Sequence, residues 1–134
     1  MPLLENDAIF AYLNEYDPNH EIAERIFEKL RRGELRVEIS SISLLEMELI
    51  YRSEKREDRL LKDLAALAAL PNVEYVALTP DVALTSVYLE QTLNLSFFDS
   101  HYAATALNLD GKIISFDKAC EKVPGLTRIK PETL

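Results

Sequence analysis

Cysteine is almost missing from this chain of 134 residues, where Cys120 stands alone. An internal disulfide is therefore excluded, and the thiol count fits a reducing cytoplasm. A lone thiol of this kind is most often a small apolar packing group. Histidine is nearly as scarce, with only His20 and His101, far apart in the chain. No His-based zinc site and no Ser/His/Asp nucleophile motif can be assembled from that pair. Long hydrophobic runs are also lacking: the longest mainly apolar stretch, Leu64 to Leu70, is far too short to span a bilayer. The first residues show no basic segment leading into an apolar stretch and a small-residue cleavage site. A cytoplasmic protein without a membrane partner is expected. Positive charge is in deficit, with 15 Lys and Arg against 23 Asp and Glu and a formal net charge of −8. That balance counts against a general nucleic-acid-binding surface, which needs cations to displace counterions. It does not exclude a nuclease, whose catalytic carboxylates add to the negative count. Glutamine is nearly absent while Glu, Lys and Arg abound, a bias in the direction of thermophilic proteins.

What is present suits an ordinary globular domain: 48% apolar and 28% charged residues, in a length that can bury one core. Residues 1–134 are expected to form one domain, since no repeat, low-complexity tract or linker interrupts them. Short strands are expected at Pro2–Leu4, Leu35–Ile39, Val73–Val76, Lys112–Phe116 and Thr127–Ile129. Between them run helical patterns. Asp7 to about Asn14 is one, and Asp17-Pro18 opens a second in which Ile22, Ala23, Ile26, Phe27 and Leu30 recur before Gly33. A third starts at Ser43 and reaches about Ser53, and Leu60, Leu61, Leu64, Leu67 and Ala68 mark a fourth, stopped by Pro71. Thr79-Pro80-Asp81 is a strong helix start, with an N-cap, a first-turn proline and an acid at the positive end. Phe98 to Asn108 is a further helix, and a short one follows Asp117. This alternation predicts an α/β fold: three layers, with a mostly parallel sheet of about four to five short strands covered by helices on both faces.

Four acids then stand out. Glu5, Glu46, Asp99 and Asp117 each fall where a short apolar segment ends or a helix begins. In an open α/β sheet those positions converge on one crevice. Carboxylates gathered there repel one another unless a hard divalent cation with oxygen ligands, such as Mg²⁺ or Mn²⁺, offsets them. Each position also has a structural reading. Ser43-x-x-Glu46 and Ser96-x-x-Asp99 match the capping box, and Asp117 and Asp7 can each cap a helix.

The surroundings of these acids resemble the PIN-domain ribonucleases, above all the toxin subunits of VapBC toxin–antitoxin systems. That family opens with a strand running into Asp-Thr-Asn or Asp-Ala-Ser and an apolar helix, matched by Glu5-Asn6-Asp7-Ala8-Ile9-Phe10-Ala11-Tyr12-Leu13. Its second element, a Glu after a Ser/Thr-rich strand end, is matched by Ile39-Ser40-Ser41-Ile42-Ser43-Leu44-Leu45-Glu46. Leu95-Ser96-Phe97-Phe98-Asp99 followed by Ser100-His101-Tyr102-Ala103-Ala104-Thr105-Ala106 is similar to its Leu-Ser-x-x-Asp and Ala-rich helix. Ser115-Phe116-Asp117-Lys118 echoes its Thr-x-Asp, and Val123-Pro124-Gly125-Leu126 its tail. The resemblance implies a PIN-like fold and a metal-dependent endoribonuclease acting on single-stranded RNA. Glu5, Glu46, Asp99 and Asp117 would be catalytic, and Glu5, Asp7, Asp99 and Asp117 would ligate Mg²⁺ or Mn²⁺. Asn6 and Ser115 would position water or substrate. A homodimer is implied as well, and a small antitoxin that pushes a basic side chain into the acidic pocket.

The chain departs from the family pattern at its first motif. Glu5 stands where the family has Asp, and Asp7 where it has Asn or Ser. The longer arm either retracts or hands its place to Asp7; otherwise the domain is a silent scaffold, the alternative reading. A phosphoacceptor receiver domain fits poorly, because Lys118 directly follows Asp117 instead of ending a separate late strand. Arg52, Lys55, Arg56, Arg59 and Lys62 fall within eleven positions and read as either a solvated helix face or a phosphate-tracking patch.

Overall fold

The computed structural model describes residues Met1–Leu134. Five strands, β1 (Leu3–Leu4), β2 (Val37–Ser40), β3 (Val73–Val76), β4 (Lys112–Ile114) and β5 (Thr127–Ile129), form one sheet in the order β3-β2-β1-β4-β5. Every pairing is parallel. Six helices connect them: α1 (Asn6–Leu13), α2 (His20–Arg31), α3 (Ser41–Ser53), α4 (Glu57–Ala68), α5 (Pro80–Leu93) and α6 (Phe97–Leu107). The 3₁₀ turns Lys118–Lys122 and Pro131–Thr133 flank β5. The three-layer arrangement expected from the alternation is present.

Side chains leave a strand alternately to its two faces, and the short strands use that rule to serve two cores. Leu4, Val37, Ile39 and Ile114 join Ile9, Phe27, Leu30, Met47, Tyr51 and Leu67 in a core that draws on α1 to α4. Their neighbours Leu3 and Ile113 pack with Ile42, Tyr102 and Ala106 instead. A third cluster, including Val82, Leu89, Ala103 and Ala104, joins α5 to α6. The apolar stripe read in α2 is real: Ala23, Ile26, Phe27 and Leu30 are all buried.

Local chemistry sets the helix ends. Thr79 caps α5 by accepting from the Val82 N–H at 3.3 Å, with Pro80 in the first turn. Ser96 caps α6 by accepting from the Asp99 N–H at 3.2 Å. At α3 the expectation fails. The helix begins at Ser41, and its cap is Ser40, whose Oγ accepts from the Ile42 N–H at 3.1 Å. Strand β2 therefore runs straight into α3 with no loop, and Glu46 lies beyond the first turn, where no capping box can form. Three expected strands also differ at their ends: β1 omits Pro2, β2 runs from Val37 to Ser40, and β4 stops at Ile114. Gly111 turns the chain into β4 at φ +76°, and a Cβ there would lie 3.1 Å from the Gly125 carbonyl oxygen. Both observations make glycine the fitting residue at that turn.

The order reverses at β1. The chain moves outward from β1 to β2 and β3, then crosses over to lay β4 on the other side of β1. The carboxyl ends of β1 and β4 thus mark the topological switch point, where open α/β sheets keep their ligand crevice.

Candidate active site

Glu5 follows β1 directly, and its N–H donates to the Ile114 carbonyl at 3.0 Å, so the strand pairing fixes where it sits. Ser115 follows β4 in the same way. Ser115 Oγ lies 2.9 Å from Glu5 Oε2 and 2.9 Å from Asp7 Oδ2. Since a hydroxyl has one proton to give, both contacts are hydrogen bonds only when a carboxyl supplies the second proton. Glu5 is the group suited to hold it. Burial first, then the Asp7 charge, push its carboxyl well above the ordinary value, and Asp99 adds to the push. The Glu5 side chain reaches Ser115 from the end of β1.

Asp7 does structural work with one oxygen. Its Oδ2 also accepts from the N–H groups of Phe116 and Asp117, at 2.9 and 3.1 Å, and so shapes the turn after β4. Its Oδ1 is buried and has no partner. Asp117 Oδ1 accepts from the Ala119 N–H at 2.8 Å, the cap that the sequence suggested. Asp99, at the start of α6, has its carboxyl raised from the usual value by burial, with the charges of Asp117 and Asp7 adding to it against an opposing Ser96 hydrogen bond.

Glu46 reaches the cleft from α3 and is held on two sides. Its Oε1 accepts from Asn6 Nδ2 at 2.7 Å and from the Tyr102 hydroxyl at 2.6 Å. Asn6 gives its other amide proton to the Ser43 carbonyl at 3.1 Å. Asn6 thus gives one amide proton to Glu46 and the other to the α3 backbone. Ser115 stands between the carboxyls of Glu5 and Asp7. Two residues of this site carry no sequence signal at all. Tyr102 is one, its hydroxyl pKa raised by burial and by Glu46. Arg128 is the other: it donates to the Ser115 carbonyl at 2.8 Å while paired with Glu121 at 2.9 Å. Losing the Tyr102 hydroxyl removes a charge-assisted bond, so Tyr102→Phe is expected to cost roughly 1.5 kcal/mol, read as a lower urea midpoint with unchanged slope.

Glu5, Asp7, Glu46, Asp99 and Asp117 all line one cleft of about 290 Å³, with Asn6, Phe10 and Ile50. No three of these acids form a ready-made cage for an ion. Like charges repel, and three of the carboxyls are anchored elsewhere: Glu5 on Ser115, Asp7 on the turn amides and Asp117 on its own cap. The donor set still fits Mg²⁺ or Mn²⁺ in chemical kind, being hard oxygens with one orphaned acceptor, Asp7 Oδ1.

A parallel α/β sheet with an acid-lined crevice at its switch point defines the class of protein. The sequence profile of the PIN domain matches residues 3–126, and the chain belongs to the PIN domain family. A comparison with curated protein sequences finds no match. Among solved structures, VapBC2 from Rickettsia felis, bound to a DNA fragment from its promoter, is similar with a TM-score of 0.75 at 15% identity. That match covers 95% of this chain and 96% of the other. VapC20 from Mycobacterium tuberculosis, a sarcin-ricin loop cleaving toxin, gives 0.75 at 16% identity over 91% of this chain and 94% of the other. A toxin–antitoxin complex from Klebsiella pneumoniae gives 0.65 at 21% identity, covering 98% of both chains. At these identities the likeness is one of fold. No helix of the chain is long and apolar enough to cross a membrane.

Proposed function

We propose that this chain is a divalent-metal-dependent endoribonuclease acting on single-stranded RNA, and the toxin of a toxin–antitoxin pair. The observation that carries the reading is the convergence of five carboxylates on one cleft at the switch point of the sheet. Glu5, Asp7, Asp99 and Asp117 would hold Mg²⁺ or Mn²⁺, with Glu46 as a ligand or outer partner. When bound, such an ion polarises a scissile phosphate and lowers the pKa of a coordinated water. The protein's own part is to hold the charges ready. Asp7 and Ser115 fix the turn that carries Asp117, Ser96 fixes the helix start that carries Asp99, and Asn6 and Tyr102 keep Glu46 from swinging away. Purified protein with Mn²⁺ is expected to cut single-stranded RNA internally and to stop when EDTA is added. A fully active enzyme in EDTA would end the metal-dependent reading.

The partners follow from the same family placement and from two surfaces. An acidic cleft suits a partner's guanidinium, which matches carboxylates bidentately and would compete with the metal. On α5, Leu84, Val87 and Tyr88 are 71, 50 and 65% exposed at helical spacing, a face suited to a second copy of the chain. Leu84→Glu with Tyr88→Glu is expected to convert a dimer to a monomer in sedimentation velocity. A wild-type protein already monomeric at high concentration would remove the homodimer from the proposal.

A further inference from the structure

Of the basic cluster within residues 52–62, Arg52, Lys55 and Lys62 face solvent, while Arg56 and Arg59 close the far end of a groove. The acidic cleft shares Phe10 and Ile50 with a second hollow of about 280 Å³. That hollow shares Leu13, Asn14 and Arg56 with a third of about 410 Å³, where Arg59 joins Arg56. One groove therefore leads from the carboxylates, between α1 and α3, to two arginines at the start of α4.

We propose that this groove carries the RNA strand away from the cleavage site and that Arg56 and Arg59 hold a backbone phosphate beyond it. The inference rests on the nuclease reading above and names the path of its substrate. Arg56 is fixed for such a role: its guanidinium lies 4.6 Å from the centre of the Tyr51 ring, and its Nη2 pairs with Glu54 at 2.7 Å. Its Nε–H is buried with no acceptor in the protein. Tyr16, 87% exposed on the rim of the last hollow, offers a ring for a base to stack on. Asp17 and Glu54 line the middle hollow and Glu15 and Glu24 the last one; all four would repel a phosphate, so the strand should keep to the arginine side.

The test is binding, not cleavage. Asp99→Asn protein is titrated with a fluorescent single-stranded RNA of roughly twelve nucleotides, long enough for the groove, and with one of about four. Adding Arg56→Gln and Arg59→Gln should flatten the salt dependence for the long RNA by about 1.4 log units per log unit of salt, two contacts at ~0.7 each. Affinity for the long RNA should fall roughly tenfold at low salt, removing its advantage over the short one. Arg56 packs on Tyr51, so Arg59→Gln alone, at an exposed position, provides a second reading of about half that slope change. Lys112→Gln, at the opposite end of the sheet, is the charge control. An unchanged slope would overturn the proposal, even in a protein that cuts RNA well. So would arginine variants that bind RNA normally but lose capture of a polypeptide partner. A protein that needs the arginines to bind RNA yet cleaves none would keep the groove and lose the nuclease reading.

Discussion

Asp99→Asn and Asp117→Asn are each expected to abolish metal-dependent RNA cleavage. Asp99 already carries a raised carboxyl pKa from burial and from the charges of Asp117 and Asp7, so its ionised form is costly without a cation. A divalent ion offsets that cost, and the neutral amide cannot attract one in its place. The loss should exceed the roughly 10–100-fold that follows removal of a partner outside the coordination shell. Both variants should fold. Asp99 serves its helix start through its backbone N–H, which Asn retains, and the Oδ1 of an Asn at position 117 can accept from Ala119 as Asp117 does. Retention of most of the rate in either variant, measured at saturating Mn²⁺, would show that the metal is held elsewhere.

The second large effect is at Glu5, and it has opposite signs with and without metal. The folded protein raises the pKa of Glu5 well above 4.5. A raised carboxyl contributes stability that is complete below the unfolded value and is lost as pH climbs through the folded one. Metal-free wild-type protein should therefore lose thermal stability as pH rises above 4.5 and Glu5 ionises against Asp7. Glu5→Gln should weaken that dependence, Asp99 keeping its share, and melt higher than wild type at neutral pH. Mn²⁺ should reverse the ranking, because it stabilises the native state by binding it and the amide is a poorer ligand. Glu5→Asp shortens the arm and withdraws it from Ser115, so activity should be kept or raised. If only Glu5→Asp cleaves RNA, the wild-type chain is a silenced nuclease acting as a binding module.

The parallel α/β sheet was legible because its signals are local: apolar triplets for strands, recurring apolar positions for helices, and Thr79-Pro80-Asp81 for a cap. The α3 start was misplaced because Ser40, Ser41 and Ser43 all make chemically reasonable caps, and only the strand that delivers the chain decides among them. The acids of the site were legible through their motifs. Their supports were not. Asn6 finds Glu46 at a separation of 40 residues, Tyr102 finds it at 56, and nothing in the sequence near either residue announces the pairing. Arg128 sits in a strand that reads simply as a strand, while its guanidinium anchors the Ser115 carbonyl. The arrangement of the carboxyls was also hidden, since it depends on which backbone amides the turn after β4 presents to Asp7.

The crossover that lays β4 beside β1 sets a schedule for synthesis. Glu5 and Ser115 are 110 positions apart, and the Glu5 N–H also donates to the backbone of β4. Long-range parallel pairing of this kind forms late, after the intervening loop is closed. A nascent chain emerging N-terminus first can build α1 to α6 while its acids still lack the turn that gathers them. Until β4 has cleared the ribosome, the polypeptide would lack Asp117 and the turn that joins it and Ser115 to Asp7. A protein that cleaves RNA would thus be held harmless to the ribosome making it by the order of its own strands. Stalled chains ending before Ser115 should show no cleavage, while chains released beyond Ile129 should acquire it.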